Sequence, residues 1–265
     1  MDIASEVRAS YAFVARNFNL VKRYLSWEVV FIVFTLVNVL TIGFIGVATG
    51  DKRMVLYLVI GALVWRFLSV IFHEVSESIQ WERWEGTIEY TFMAPIRRTM
   101  MLFGTVIYAV LYGIINTGIT LIVALLFFDL TLSGANILTG LLVLIISSFS
   151  FIGLGILAAI LPLMSTERGS QAAHIIQAIV LLVSGVYYPI SVLPEWIRPL
   201  SVLSPATYTL RMMRDALLNG RSIGEMWFDI LILGIVGFAL IPLAIFFFNL
   251  AERHAKKLGK LKRSG

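Results

Sequence analysis

Six long apolar runs dominate this chain and restrict the folds that it can adopt. Each run is long enough to cross the hydrocarbon core of a bilayer, which takes about 20 apolar residues in a helix. Only 14% of the residues are charged, whereas soluble domains carry roughly a quarter. A bilayer offers no water to unpaired backbone groups, so each run is predicted to be a helix. The sequence therefore predicts an all-α polytopic membrane domain over residues 1–265, with six spans: Val29–Ala48, Met54–His73, Met100–Phe128, Ile137–Met164, Ala172–Val192 and Ile230–Asn249.

The first 28 residues carry a different pattern, that of an amphipathic helix. Apolar residues recur there at spacings of three and four, with basic residues between them. Such a helix lies along the membrane surface, or it is a plain lead-in that packs on the bundle, and both interpretations fit. We predict an interfacial helix over 1–28 whose apolar stripe is Ile3, Val7, Tyr11, Val14, Phe18, Val21 and Leu25.

The distribution of lysine and arginine predicts the orientation of the spans. If the N-terminus is cytoplasmic, the cytoplasmic segments hold fourteen of these residues and the opposite side holds six. Positive residues are enriched on the cytoplasmic side of membrane proteins, so both termini are predicted to be cytoplasmic in the cell (plasma or inner) membrane. The basic tail at 251–265 is then an orientation signal and a contact for anionic lipids.

The segment between the second and third runs is charged and unlike a short polar turn. It reads WERWEGTIEYTFMAPIRR from Trp81 to Arg98, within a cytoplasmic segment at 74–98. Its charges, its central glycine and its late proline are typical of a short helix lying flat at the membrane surface, where a partner protein is able to grip it. A solvated loop, whose charges merely keep it cytoplasmic, is the simpler interpretation.

Four prolines interrupt the segment after the fifth run, which reads GVYYPISVLPEWIRPLSVLSPATYTLRMMRDALLNG from Gly185 to Gly220. Each proline lacks an N–H and clashes with the preceding turn, so no continuous helix is expected. Tyrosine and tryptophan prefer the headgroup layer. A re-entrant helical hairpin over 186–220 that gates a pathway fits this pattern, and so does a proline-rich outer loop without a gating role. The candidate gate residues are Tyr187, Tyr188, Pro189, Pro194, Trp196 and Pro205.

A few polar residues fall inside the predicted spans. Arg66 lies in the second span, where a charge costs about 2.5 kcal/mol or more unless it faces protein, a cavity or an interface. No acidic residue within another span is an evident partner, so a structural or snorkelling arginine is favoured over one that contacts a substrate. Tyr108, Tyr112 and Asn116 share one helical face, and they line a translocation path or simply pack.

Several kinds of chemistry find no support in the sequence. The chain has no cysteine, and its three histidines are too scattered to predict a metal site. No G-x-x-x-x-G-K-[ST] phosphate-binding loop is present, so ATP hydrolysis by that chemistry must come from a partner. No paired carboxylates or Ser–His–Asp arrangement predicts a catalytic centre, and we do not expect an enzyme.

The two unusual segments, in this order, resemble those of type-2 ABC exporter permeases. WERWEGTIEYTFMAPIRR is similar to the family's E-R-x-x-G-T-x-E…P-[IV] segment between spans two and three. The segment VSGVYYPISVLPEWIRPLSVLSPATYTLRMMRDALLNG is similar to the second family signature, in which proline precedes a short loop and R-x-x-L follows. Trp81 and Trp84 depart from the family by flanking the first motif where polar residues are common.

The resemblance implies the transmembrane subunit of an ATP-binding cassette exporter. Such a permease pairs with a second copy or a similar subunit, and it docks a cytoplasmic ATPase subunit that binds ATP and Mg²⁺. Alternating access would then move substrate out of the cytoplasm or the inner leaflet. The residues that fall on the family's coupling helix are Glu82, Arg83, Gly86, Thr87 and Glu89, with Pro95 closing the segment.

Two questions stay open at this point. An ion-gradient-driven secondary transporter is the alternative function, although it usually needs internal repeats and titratable residues within the membrane. The substrate is the other question. The chain lacks the R-Y…L-G…W lead-in associated with the polysaccharide branch of the family, so a hydrophobic or amphipathic compound is the weakly favoured cargo.

Overall fold

The computed structural model describes residues 3–87, 90, 93, 98–165 and 169–258. These residues form nine α-helices and one 3₁₀ turn at Ile190–Val192, and they contain no strand, so the all-α prediction is confirmed for them. The helices are α1 Ile3–Arg23, α2 Leu25–Val47, α3 Lys52–Glu85, α4 Arg98–Phe127, α5 Ile137–Met164, α6 Gly169–Val183, α7 Arg198–Leu203, α8 Pro205–Leu218 and α9 Ile223–Lys257.

Five of the described helices are long and apolar enough to cross a membrane, namely α2, α3, α4, α5 and α9. The fifth predicted span, Ala172–Val192, corresponds to α6, which has 15 residues and ends at Val183. The predicted end at Val192 is wrong because Gly185 adopts a left-handed φ of 69° and the chain then turns toward Pro189. That α6 also crosses the membrane, which would make six spans, stays a prediction.

Helix α3 forms the centre of the bundle and contacts α2, α4, α5, α6 and α8. Phe67, Ile71 and Val75 on α3 are fully buried within the main hydrophobic core. With 34 residues, α3 is roughly 50 Å long, and so exceeds a hydrocarbon core of about 30 Å. The helix continues beyond the predicted span end at His73, to Glu85, and the span boundary itself stays a prediction.

Helices α5 and α9 pack along each other at close range. A Cβ atom added at Gly237 would lie 2.9 Å from the backbone nitrogen of Ser150, and one at Gly153 would lie 2.6 Å from the Leu240 side chain. Small residues allow such an approach between helices in a membrane. Small residues on both helices therefore form this contact within the chain.

The N-terminal helix α1 packs on α4 with a face that overlaps its apolar stripe only in part, since Phe18 of the stripe meets Tyr108. The Ser10 carbonyl oxygen lies against Gly104, where an added Cβ would approach it to 2.4 Å. Glu6 and Ser10 are buried, while Val7 and Tyr11 of the predicted stripe are exposed. One face of α1 thus contacts the bundle, and the adjacent apolar residues Val7 and Tyr11 are open.

The bundle has two ends, which we name by one arginine each. The Arg83 end is where α3 and α5 end and α4 begins, and the Arg214 end is where α3 and α5 begin and α8 lies. In the orientation predicted from the sequence, the Arg83 end is cytoplasmic and the Arg214 end is external.

Candidate coupling and transport sites

At the Arg83 end, the Arg83 side chain joins α3 to the last turn of α5. Arg83 Nη1 donates to the carbonyl oxygens of Pro162 and Leu163, each at 2.8 Å. The last four carbonyls of a helix have no partner within the helix, and a cation there also complements the helix dipole. Arg83 is only 4% exposed, so this contact is shielded from water. The arginine therefore caps α5 and fixes the spacing of the two helix ends.

The neighbouring Glu82 joins α3 to α1. Its Oε1 atom lies 3.4 Å from Arg16 Nη1. Glu82 is 3% exposed, whereas the Arg16 side chain is nearly half exposed. Glu82 and Arg83 thus connect three helices of the same chain. Both residues lie within α3, whereas the sequence pattern predicts a separate surface helix for them. No pattern in the sequence predicts these intramolecular partners.

Gly86 and Thr87 end α3. Gly86 has a φ of 75°, and its N–H donates to the Arg83 carbonyl, while the Thr87 N–H donates to the Glu82 carbonyl at 2.9 Å. A left-handed glycine with paired backbone bonds of this kind is a common helix stop. The Glu-Arg-x-x-Gly-Thr sequence therefore encodes an anchor followed at once by a helix end.

Two apolar side chains beyond this stop, Tyr90 and Met93, are exposed. Tyr90 and Met93 are helical and are 77% and 81% exposed. The other two predicted coupling residues, Glu89 and Pro95, lie outside the described residues. The coupling role of the whole set stays a prediction.

Within the bundle, Arg66 faces acidic groups that the sequence did not associate with it. Arg66 lies within electrostatic range of Glu74, Glu28 and Tyr112. The Tyr112 hydroxyl donates to Glu28 Oε2 at 2.5 Å. Glu74 lies on the same helix as Arg66, and Glu28 comes one residue before the predicted first span, so neither is an acid within another predicted span. The role of Arg66 stays a prediction. Glu28 was missed because it is 84 residues from Tyr112 and only α2–α4 packing brings the two together.

The remaining predicted pathway residues are mostly packed. Tyr108 is buried and stacks on Tyr112 with ring centroids 5.5 Å apart, and Phe18 of α1 meets its edge. Asn116 is buried and donates to the backbone carbonyl of Tyr112 on its own helix. The structure thus joins Arg66, Tyr108 and Tyr112 in one polar cluster, while Asn116 bonds locally.

At the Arg214 end, the loop after α6 lies against α3. A Cβ at Gly61 would be 2.2 Å from the Val186 carbonyl oxygen, so only a glycine admits this approach. Gly61 is nine residues after Lys52, which places the loop about 13 Å along α3. Ser184 and Ser204 join the end of α6 to the residue before α8 by a buried hydroxyl contact of 2.8 Å.

Arg214 holds the same loop from the other side. Its Nη1 donates to the Gly185 carbonyl at 3.0 Å and its Nη2 to the Val186 carbonyl at 2.6 Å. The guanidinium lies 3.5 Å from the centre of the Tyr57 ring. Burial lowers the pKa of Arg214 to about 10, so it stays cationic at neutral pH. Sequence reasoning missed this residue because no local pattern shows which carbonyls it meets.

The predicted gate residues surround this loop. Tyr187 and Tyr188 are partly buried, the Tyr188 hydroxyl donates to the Leu182 carbonyl, and burial raises the pKa of Tyr187. Pro189 precedes the 3₁₀ turn, and Pro205 begins α8. Pro194 and Trp196 lie in the exposed turn before α7, where Trp196 is one of several exposed apolar side chains.

Comparison with known protein families gives one match. Residues 8–218, from α1 to the end of α8, match the family model described as ABC-2 type transporter. This region contains the Glu82–Thr87 anchor and stop, the Arg66 cluster and the loop held by Arg214. The chain has no match among curated proteins.

Proposed function

The chain belongs to the ABC-2 type transporter family, and from that premise we propose that it is the permease subunit of an ATP-driven exporter. The family implies a multi-pass membrane protein that associates with an ATP-binding subunit. ATP and Mg²⁺ would bind that partner, and this chain would supply the path. The observation that supports this assignment best is the buried Glu82–Arg83 anchor directly before the exposed Tyr90 and Met93.

The anchor gives a partner a rigid element to push. A force applied after Thr87 acts first on α3, which is an uninterrupted helix of 34 residues. Arg83 and Glu82 pass the same movement to α5 and α1 through short contacts. Closure of an ATPase pair would therefore move three helices together, where a flexible loop would absorb the displacement.

The same helix reaches the loop at the Arg214 end. Tyr57 and Gly61 of α3 both contact the group formed by Arg214 and Val186. Non-helical backbone at membrane depth is tolerated where protein covers it, and this loop is covered by α3 and α8. These contacts support a role as the outer gate of an alternating-access cycle, with Tyr187, Tyr188 and Pro189 at its turn.

A second permease copy is part of the proposal. The α2 and α9 helices present many exposed apolar side chains, including Phe34 and Phe238, which suits contact with lipid or another permease. The cargo that we propose is a hydrophobic or amphipathic compound, exported from the cytoplasm or the inner leaflet across the cell membrane.

The test is purification of the chain from its native membrane in mild detergent, followed by ATPase assay and mass spectrometry. Co-purification of an ATPase subunit, with ATP-dependent transport in vesicles, supports the proposal. Reversal of Glu82 is a poor probe of docking because this buried side chain holds α1. Tyr90→Glu changes an exposed position and tests docking directly, with the exposed Trp196→Glu at the opposite end as control.

An ion-gradient-driven transporter is the second candidate, and the Arg66 cluster is the observation that favours it. Glu28, Glu74 and Arg66 are titratable groups brought together inside the bundle, as proton-coupled carriers require. Transport by the reconstituted chain alone, driven by a proton gradient without ATP, would support this candidate and refute the first.

A further inference from the structure

A cavity of about 680 Å³ opens beside the loop that Arg214 holds. Its wall is formed by the start of α3, by the loop after α6, and by α7 and α8. Its volume is within the range of sites that hold small organic molecules, roughly 300 to 1,000 Å³. The cavity is therefore large enough for more than an inorganic ion.

The wall of this cavity carries a surplus of positive charge. Among the described residues, four arginines line it and Asp215 is the one carboxylate, and Arg221 already contacts that carboxylate at 3.1 Å. The lining arginines are Arg53, Arg198, Arg211 and Arg214. A low-dielectric wall with clustered charge of one sign attracts the opposite charge.

These arginines are held in place but keep donors to spare. Arg53 Nη2 donates to Asn219 Oδ1, and Arg211 Nη2 donates to Asp229 Oδ1, both at 2.8 Å. A guanidinium carries five N–H donors, so each of these bonds leaves others for a ligand. Arg214 Nε is buried and has no acceptor among the described residues.

The cavity also has an apolar part. Ile190, Val202 and Leu210 share its lining with the arginines. Outside its lining, Trp196 precedes α7 and Leu203 ends α7, and both side chains are strongly exposed. A ligand that satisfies both parts has an anionic head and an apolar body.

We propose that this cavity binds a phosphate-bearing amphiphile, with its phosphate on the arginines and its chain along α7. Arginine favours phosphate because its planar fork matches two phosphate oxygens. The amphiphile is either a membrane lipid that enters from the side or a compound on its way out. The binding itself does not depend on ATP-driven transport, whereas a role as cargo rests on the proposed function.

The test measures binding by the purified full chain in nonionic detergent, without ATP or partner. Fluorescent short-chain phosphatidylglycerol is titrated against the chain, and the phosphatidylcholine analogue is titrated in parallel. We expect phosphatidylglycerol to bind about tenfold more tightly, equal to about 1.4 kcal/mol. Equal affinity of the two lipids would overturn the proposal.

Variants separate binding from structure. The double variant Arg53→Gln with Arg211→Gln is expected to lose the preference, and Arg53→Lys with Arg211→Lys is expected to keep most of it. Lys52→Gln, at the same end and paired with Asp129 at 3.4 Å, removes a nearby charge as the matched control and is expected to leave the preference intact. A glutamine double variant that melts like the parent but keeps the preference would overturn the assignment.

Competitors identify the form of the ligand. Dodecyl phosphate, which is a net anion, is expected to displace the labelled lipid at about tenfold lower concentration than zwitterionic dodecylphosphocholine. Full displacement by inorganic phosphate at equal concentration would contradict an amphiphile. Native mass spectrometry shows whether phosphatidylglycerol co-purifies with the chain, and such a lipid would identify the membrane as the source of the ligand. Exchange of the bound ligand for dodecyl phosphate in nanodiscs would identify a compound from solution.

Discussion

Arg83 and Arg214 make the same kind of contact at opposite ends of the bundle. Each donates to two consecutive backbone carbonyls, Pro162 and Leu163 for Arg83 and Gly185 and Val186 for Arg214. Arg83 is almost completely buried, and its partners are the end of a long helix. Arg214 is partly exposed, its partners belong to a turn, and a cavity lies beside it.

The two arginines show how burial changes the role of the same arginine–carbonyl contact. A cation enclosed at a helix end forms a rigid joint, because moving it would leave carbonyls unpaired. A cation that faces a cavity with three other arginines holds its loop and also charges the cavity wall. This difference supports the proposal that the Arg83 end transmits force and that the Arg214 end contacts a ligand.

The largest expected effect comes from removing the enclosed arginine. Arg83→Met leaves two carbonyls of α5 without a donor, and we expect it to lower the free energy of unfolding by about 3 kcal/mol. Arg83→Lys retains the charge but lacks the planar guanidinium, so we expect it to lower the free energy of unfolding by an intermediate amount. Unfolding in an SDS titration, followed by tryptophan fluorescence, measures both. An unchanged unfolding midpoint for Arg83→Met would refute the claim that Arg83 forms a rigid joint between α3 and α5.

The next effect concerns the contact between α3 and the loop. Gly61→Ala places a methyl group on the Val186 carbonyl, and we expect a loss of about 2 kcal/mol from the forced displacement. Gly118→Ala on α4 is the control, because nothing lies within 4 Å of its added Cβ. That control is expected to be neutral or stabilising by up to about 1 kcal/mol, since alanine favours helix over glycine. Equal changes in the free energy of unfolding for the two variants would contradict the close contact between the loop and α3.

A smaller effect is expected at the helix stop. Gly86→Ala puts a side chain at a φ of 75°, which costs roughly 1 to 2 kcal/mol. Gly86→Asn is expected to cost less because asparagine tolerates this conformation. The same SDS titration ranks the two variants. If alanine and asparagine behave alike, the left-handed stop does not position the chain after Thr87.

The smallest effect is expected from the partly exposed ion pair. Arg16→Gln removes the Arg16–Glu82 contact, and we expect about 0.5 kcal/mol because water and salt screen the arginine. Raising the salt concentration is expected to shrink the difference between parent and variant. If Arg16→Gln lowers the free energy of unfolding as much as Arg83→Met, the Arg16–Glu82 contact is not weaker than the contact of Arg83 with α5.

The fold was predictable where one periodic pattern was enough. The helix Ile137–Met164 has the predicted bounds, and five of the six apolar runs correspond to long helices. The extension of α3 to Glu85 was not predicted, because charged residues after His73 resemble a solvated segment. Tertiary partners such as Arg16 and the end of α5 bury Glu82 and Arg83, and these partners are distant in sequence.

The candidate sites were only partly predictable for the same reason. The resemblance identified the Glu82–Thr87 motif, but not that its charges face inward. Arg214 and Glu28 carry no sequence signal, since their partners lie 28 and 84 residues away. The helix stop at Gly86 has a local cause, a glycine with a left-handed φ, but the sequence pattern predicts this glycine within a surface helix. The two arginine sites depend on helix packing.

The most direct test of the account asks whether the exposed chain beyond the Arg83 anchor contacts an ATPase subunit. The natural sequence has no cysteine, so Tyr90→Cys and Trp196→Cys each give a single reactive site in native membranes. With a short bis-maleimide crosslinker, we expect Tyr90→Cys to attach to a protein that contains a nucleotide-binding phosphate loop, with a yield that changes on adding ATP. Trp196→Cys is expected to give no such product. Attachment of that protein at Trp196 instead of Tyr90, or no ATPase product at Tyr90 while an ATPase co-purifies, would contradict the account.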